Sequence, residues 1–284
     1  MGLKTKIEWC DASWNPVTGC KHGCDYCYAR RIAERFSGYD SVTMKQEASP
    51  LLDKALEKPE IVETWDNLYF EKWSRKDEDG KPTADAKLIK APYPFGFTPT
   101  FHRDRLQQLQ KWVKPKVIFV CSMADLFGDW VPDSWIDEVF EACRQSPQHT
   151  YLFLTKNPER LCRLADDDRL PNWRNVWWGS SLDNKKARRY PGRFRDHTFL
   201  SIEPLREYMD VGLGSFGSAE WIIIGAETGN SKNKITPDKA WVDNICEAAN
   251  ITQAAVFMKD SLIPVVGEEN MRREFPWDMP WWKG

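Results

Sequence analysis

Residues 116–165 decide the fold: KVIFVC (116–121) is followed by PDSWIDEVFEACR (132–144), TYLFLT (150–155) and PERLCRLA (158–165). Two short runs rich in β-branched and aromatic residues alternate here with two amphipathic stretches. Each amphipathic stretch opens on a proline, which is favoured in the first turn of a helix. This alternation predicts repeated βα units around a parallel sheet.

The same alternation continues on both sides of this stretch. It predicts a first strand over 13–17, followed by a cysteine-rich loop and a helix over 28–36, and further helices over 103–113 and 237–249. The other predicted strands are 94–98 (PFGFT), 175–180 (NVWWGS), 198–202 (TFLSI), 220–225 (EWIIIG) and 254–258 (AAVFM). Eight such units predict an α/β fold, a partial or complete (β/α) TIM-type barrel.

Length and composition favour one globular domain over 1–284. The chain has 284 residues, 40 Lys+Arg against 42 Asp+Glu, and a formal net charge of -2. With 42% hydrophobic residues and only 16 Gly, the composition excludes disordered and collagen-like chains, and the near-neutral charge argues against a whole-protein field that attracts nucleic acid. No stretch reaches the roughly 20 apolar residues of a membrane span, and the N-terminus lacks the apolar run of a signal peptide. We therefore expect a cytoplasmic protein without a membrane partner.

Residues 37–93 do not follow the βα pattern and are interpreted as an insertion. Within them, 51–59 and 61–73 are predicted to form short amphipathic helices, and the charged stretch 74–87 an exposed loop. The insertion would either cover the mouth of the barrel or only add surface.

Three of the eight cysteines crowd into CKHGCDYC. Cys20, Cys24 and Cys27 have the spacing C-x3-C-x2-C, and Gly19 and Gly23 supply turns, so a short loop could wrap three thiolates around one centre. The other cysteines outside the N-terminal segment lie in apolar stretches and read as small buried hydrophobes: Cys121, Cys143, Cys162 and Cys246.

Three interpretations of this loop are open from the residues alone. A structural zinc ion needs four ligands, so the loop would have to borrow the fourth from Cys10, His22 or a distant residue. A four-iron cluster held by three thiolates leaves one iron without a protein ligand, and such an iron is available for chemistry. The third interpretation is a loop of reduced thiols without metal.

Polar residues follow nearly every predicted strand, at the end where the active sites of such barrels lie. Capping of the next helix explains Ser, Thr and Asp at these positions but explains Glu and Lys poorly. The candidates for substrate binding or proton transfer are therefore the four charged residues Lys156, Glu203, Glu227 and Lys259.

The motif Cys20-x3-Cys24-x-Tyr26-Cys27 resembles the signature of the radical S-adenosylmethionine (radical SAM) superfamily. With KIEWCDASWNPVTGC before the motif and VCSMADLFGDWVP, FLTKNPERL, SIEPL and IIIGAETG after it, most of the chain resembles a phage-associated family of radical-SAM-like proteins. The likeness is weakest over 36–93.

This resemblance implies a [4Fe–4S] cluster on Cys20, Cys24 and Cys27, with SAM bound through its amine and carboxylate at the open iron. It implies reductive cleavage of SAM to methionine and a 5′-deoxyadenosyl radical that acts on a substrate the sequence does not identify. It also implies an electron donor such as a flavodoxin or ferredoxin.

The resemblance also suggests residues that bind SAM. Tyr26 matches the aromatic position of the motif and would lean against the adenine. A Gly-Gly-Glu turn that relatives often carry is absent, and the main chain around Thr98 takes its place as a candidate for the amine. Lys156 could instead pair with the SAM carboxylate. Candidates for hydrogen bonds to ribose or carboxylate are Ser122, Thr155 and Ser180.

Two alternatives remain. One is transfer of the aminocarboxypropyl group of SAM after cleavage of a different C–S bond. The other is a nucleic-acid-binding protein with a structural zinc loop, in which the basic run 184–196 would contact phosphates and tryptophans would stack on bases. The composition of run 184–196 favours a solvated helix face over a phosphate-binding patch.

Overall fold

The computed structural model describes residues 5–37, 42–43, 60–65, 68–72, 78, 87–182, 197–211, 216–229 and 233–278. The chain divides into two compact units. The first comprises 1–13, 114–120 and 147–284, and the second comprises 14–113 and 121–146.

Strands and α-helices are numbered here along the chain. The strands are β1 (Ala12–Trp14), β2 (Val17–Thr18), β3 (Val42–Thr43), β4 (Val62–Thr64), β5 (Tyr69–Lys72), β6 (Lys87–Lys90), β7 (Thr100–His102), β8 (Val117–Val120), β9 (Thr150–Thr155), β10 (Val176–Ser181), β11 (Thr198–Ile202), β12 (Trp221–Ile224) and β13 (Ala255–Met258). The α-helices are α1 (Tyr28–Arg35), α2 (Asp133–Arg144), α3 (Pro158–Asp166), α4 (Lys239–Thr252) and α5 (Ile263–Val266), and 3-10 helices cover Arg103–Lys111, Asp260–Leu262, Glu268–Asn270 and Pro276–Asp278.

A seven-stranded sheet forms the first unit, in the order β1-β8-β9-β10-β11-β12-β13. The five pairs from β8 to β13 are all parallel. β10 to β13 are buried along their whole length, as expected of parallel strands that are covered on both faces. The predicted strands that correspond to β8–β13 are confirmed, as is the α/β class.

The strand order of this sheet is linear, with β1 and β13 at its two edges. Within the part of the chain that the structure describes, no pairing joins β13 to β1, so a complete barrel is not shown. The first predicted strand is also shorter than expected, because Asn15 and Pro16 separate β1 from β2.

The second unit holds two small sheets, β2-β7-β4 and β3-β5-β6, together with α1 and α2. The prediction of a strand over 94–98 is wrong. Gly96 has φ +60, and turn hydrogen bonds join Gly96 N to the Tyr93 carbonyl and Thr98 N to the Phe95 carbonyl. The strand begins only after Pro99, at Thr100, and pairs with both β2 and β4.

The helix predicted over 61–73 is also wrong. β4 and β5 occupy most of this range, and their Val, Thr, Tyr and Phe residues suit strands better than helices. The helix predicted over 51–59 lies outside the described residues, as does most of the loop over 74–87. Among the described residues, no helix is both long and apolar enough to cross a membrane.

Candidate functional site

Cys20, Cys24 and Cys27 lie on one loop of the second unit, between β2 and α1. All three are free thiols and all three are half-buried. Cys27 N donates to the Cys24 carbonyl over 3.3 Å, which folds the second half of the motif into a turn directly before the helix.

The start of the loop is held against two neighbouring segments by main-chain contacts. Gly19 N donates to the Met123 carbonyl over 2.9 Å, and Cys20 N donates to the Phe97 carbonyl over 3.3 Å. Gly19 has φ +85, and a Cβ at this position would lie 2.3 Å from the Thr98 carbonyl oxygen. Glycine is therefore required here both by the backbone conformation and by the close approach of Thr98.

Helix α1 begins immediately after Cys27, which is its N-cap residue. The Cys27 sulfur accepts a hydrogen bond from Arg30 N over 3.3 Å. A second main-chain donor, His22 N, lies 3.5 Å from the Cys20 sulfur. Backbone N–H groups and the positive end of a helix both favour the thiolate form of cysteine.

His22 connects the middle of the loop to the segment after β8. Its Nε2 lies 2.7 Å from Oδ2 of Asp125, whose other oxygen accepts a hydrogen bond from Phe127 N over 3.0 Å. The carboxylate of Asp125 is buried. The Trp130 ring stands edge-on to the imidazole, with ring centroids 4.9 Å apart. The buried indole Nε1 of Trp130 has no hydrogen-bond partner among the described residues.

The pKa of the Cys20 thiol is raised to about 12, chiefly by burial; the hydrogen bond from His22 N lowers it, and the nearby Asp125, Cys24 and Cys27 add to the rise. Negative charge on Cys24 or Cys27 therefore opposes the ionisation of Cys20. A bound cation or cluster would supply the positive charge that lets them ionise together, with release of protons.

In donor type and spacing the loop fits an iron–sulfur cluster or a zinc ion, because it offers three soft sulfur ligands on the eight residues from Cys20 to Cys27. In the part of the chain that the structure describes, no three His, Cys, Asp or Glu side chains already converge closely enough to hold a metal ion. Binding would therefore draw the three sulfurs closer together.

Of the residues predicted to bind SAM, the second unit contains Tyr26, Thr98 and Ser122. Tyr26 is half-buried within the loop, and its carbonyl faces the Arg31 guanidinium at 3.5 Å. The Thr98 carbonyl accepts a hydrogen bond from the Thr100 hydroxyl over 2.8 Å. The Ser122 hydroxyl donates to Asn15 Oδ1 over 3.1 Å. Their roles toward SAM stay predictions.

The charged candidates Glu203 and Lys259 form an ion pair in the first unit. They directly follow β11 and β13, on either side of Gly225 at the end of β12. A Cβ on Gly225 would lie 3.1 Å from Lys259 Cδ and 3.2 Å from Glu203 Cγ. Because Gly225 has no side chain, it leaves the space in which the side chains of Glu203 and Lys259 meet.

Glu227 and Lys156 have partners of their own in the same unit. Arg206 Nε lies 3.4 Å from Oε2 of the buried Glu227. Lys156 Nζ lies 3.2 Å from the Ser181 hydroxyl.

The two hydroxyl candidates of the first unit, Ser180 and Thr155, lie in or beside regular secondary structure. Ser180 is fully buried within β10. The Thr155 hydroxyl accepts a hydrogen bond from Asn157 N over 2.8 Å, at the beginning of α3.

Arg206, Trp130 and Asn15 also contact the candidate residues or the cysteine loop, and none of the three was predicted from the sequence. Asn15 Oδ1 binds both Ser122 Oγ and Met123 N. Arg, Trp and Asn are common residues with no local signal for this role, and only the folded chain brings Arg206, Trp130 and Asn15 beside the candidate residues. The basic run 184–196 lies outside the described residues.

A family model described as "Protein of unknown function (DUF5131)" matches residues 4–77 and 66–261. The chain belongs to this family. A comparison with curated proteins and a comparison with solved structures found no match. The description of the DUF5131 family names no activity, so the likeness to radical SAM enzymes stays a prediction.

Proposed function

We propose that this DUF5131 protein is a radical SAM enzyme, in which Cys20, Cys24 and Cys27 hold a [4Fe–4S] cluster and SAM binds at the fourth iron. The observation that carries the proposal is the grouping of three half-buried free thiols, with the spacing C-x3-C-x2-C, on one loop that ends in the N-cap of α1. When bound, such a cluster supplies one electron to the sulfonium of SAM and starts radical chemistry.

The residues of the chain have three tasks in this proposal. The three cysteines lose their protons and bind iron. Arg30 N and His22 N donate to two of the sulfurs and stabilise their negative charge, because hydrogen bonds to an ionised acceptor are about twice as strong as neutral ones. Gly19 permits the close approach that fixes Cys20 beside Phe97 and Thr98.

In the first unit, we propose that Glu203, Lys259 and the pair of Arg206 with Glu227 recognise the substrate. Each pair contains one positive and one negative group. A substrate carboxylate could therefore bind Lys259 in place of Glu203, and a substrate ammonium group could bind Glu203 in place of Lys259. This charge pattern suits a zwitterionic substrate, a nucleotide or a peptide.

Product analysis tests the reaction. The chain is reconstituted anaerobically with iron and sulfide, reduced with dithionite and given SAM, and the nucleoside product is identified by mass spectrometry. We expect 5′-deoxyadenosine from the wild type and from Cys246→Ser, and none from Cys24→Ser. Methylthioadenosine as the product would instead support aminocarboxypropyl transfer by cleavage of the other C–S bond.

A structural zinc site is the second candidate, and the His22–Asp125 hydrogen bond favours it. Histidines that bind metal usually donate their second ring nitrogen to a carboxylate, as His22 would donate to Asp125 while Nδ1 bound zinc. Cys20, His22, Cys24 and Cys27 would then complete a four-ligand set. Metal analysis decides: one zinc per chain that is lost in His22→Ala supports this candidate, and iron retained in His22→Ala supports the cluster.

A further inference from the structure

Helix α1 carries a mixed apolar and cationic face on its outer side. Tyr28, Ile32 and the C-cap residue Phe36 are 46%, 38% and 48% exposed, although all three have large apolar rings or chains. The Tyr28 hydroxyl donates to the Ser122 carbonyl over 2.8 Å, which holds its ring in place at the surface. Exposed apolar groups that lie together on one helix mark sites of interaction more often than single ones do.

The arginines of this helix fall on the same side. With about 3.6 residues per turn, Arg31 and Arg35 lie beside Tyr28 and Ile32, while the buried Ala29 and Ala33 lie on the other side. Ala29 and Ala33 pack against Met123, so the orientation of the helix is fixed. We call Tyr28, Arg31, Ile32, Arg35 and Phe36 the α1 face.

The α1 face is positively charged. Arg31 and Arg35 have no carboxylate partner among the described residues, and the Arg35 guanidinium lies over the Phe36 ring at 5.4 Å. The one acidic residue of the helix, Glu34, is 3.9 Å from Arg30 and balances that arginine. The charge of the face is therefore complementary to an acidic surface.

We infer that the α1 face is the docking surface for an acidic one-electron donor protein, and this inference rests on the proposed function. The cluster ligand Cys27 is the N-cap of the same helix, so a donor seated on α1 lies next to the proposed cluster. Electron transfer falls steeply with distance, and a donor must dock close to the group that it reduces. In this step the donor loses one electron, the oxidised cluster gains it, and no bond forms or breaks.

The apolar and the charged parts of the face have separate tasks. Arg31 and Arg35 attract the acidic donor and raise the rate of encounter, which salt weakens. Ile32 and Phe36 lose contact with water when the donor binds and hold it briefly. A transient redox partner needs only such a small interface.

Stopped-flow spectroscopy on the reconstituted full chain tests the inference, with reduced flavodoxin as the probe. We compare the wild type with Arg31→Glu/Arg35→Glu, with the milder Arg31→Gln/Arg35→Gln, and with Ile251→Glu as control, since Ile251 is 60% exposed on α4. The same four proteins are reduced by dithionite, which needs no docking surface, and their iron content is measured.

We expect the second-order rate constant for flavodoxin to fall about 10-fold or more in the double Glu variant and less in the double Gln variant. The rate with dithionite, the iron content and the Ile251→Glu protein should be unchanged. Equal rates with flavodoxin in wild type and both double variants, while the cluster is intact, would overturn the docking surface alone. Absence of iron from the wild type would overturn the proposed function and the docking surface with it.

Discussion

The imidazole Nε2 of His22 lies 2.7 Å from Oδ2 of the buried Asp125. The bond joins the middle of the cysteine loop to the segment that follows β8, beside the point where Gly19 N binds the Met123 carbonyl. Two independent bonds thus attach the loop to one segment of the second unit.

Replacement of Asp125 should loosen the loop. In Asp125→Asn the carboxylate no longer accepts from His22, and a buried amide is left with an unmatched donor, so we expect a loss of about 1–3 kcal/mol in the free energy of unfolding. Urea unfolding measures this loss. The exposed Asp210 is the control, and Asp210→Asn should change stability by less than about 0.5 kcal/mol. Equal stability of the two variants would contradict the role assigned to Asp125.

Two glycines of the loop should respond differently to alanine. Gly19 and Gly23 both have positive φ, so an alanine at either position is destabilised by about 1–2 kcal/mol in the left-handed region. Only at Gly19 does the new Cβ meet backbone, 2.3 Å from the Thr98 carbonyl oxygen, whereas nothing lies within 4 Å of a Cβ at Gly23. We expect Gly19→Ala to cost a further 1–3 kcal/mol or so and to reduce the iron bound after reconstitution. Similar iron content in the two variants would count against the fixed position of Cys20.

The Glu203–Lys259 pair should show a measurable coupling energy. Because the two side chains are only 27% and 17% exposed, we expect about 1 kcal/mol from a double-mutant cycle of Glu203→Gln and Lys259→Met in urea unfolding. The exposed pair Lys239–Asp243 on α4 is the matched control and should give about 0.5 kcal/mol or less. A coupling energy no larger than that of the control would show that solvent screens the Glu203–Lys259 pair as well.

Acid should destabilise the second unit through His102. Burial holds the pKa of His102 well below its ordinary value of 6.5, and the nearby positive charges of Arg105 and Lys90 lower it further. The unfolded chain therefore binds a proton that the folded chain excludes, so the contribution of neutral His102 is complete above pH 6.5 and is lost as the pH falls below it. We expect urea unfolding to show a slope of up to about 1.4 kcal/mol per pH unit between pH 6.5 and 5 that is reduced in His102→Gln. An unchanged slope in the variant would assign the acid sensitivity to other groups.

The sequence predicts the sheet of the first unit well, because its strands are continuous runs of Val, Ile, Phe and Trp that are buried on both faces. The same reasoning fails at 94–98, where the aromatic residues of PFGFT belong to a turn set by Gly96 and the flanking prolines. It fails again at 61–73, where periodicity indicated a helix but pairing of β4 with β7 and of β5 with β6 gives strands. Pairing partners distant in sequence decide such short segments, and no local pattern records them.

In the candidate site, too, local features could be predicted from the sequence and contacts between distant residues could not. The spacing of Cys20, Cys24 and Cys27 is local, so the sequence alone indicates a common centre. The contacts of that loop with Phe97, Met123 and Asp125 join residues about 80 to 100 positions apart, and only the folded chain shows them.

Electron paramagnetic resonance of the reconstituted, dithionite-reduced chain, recorded with and without SAM, is the direct test for an open iron on the cysteine loop. We expect the signal of a reduced four-iron cluster that changes shape when SAM is added, because SAM would bind the iron that the three cysteines leave open. A cluster signal that SAM leaves unchanged, or a chain that takes up zinc and no iron, would contradict it.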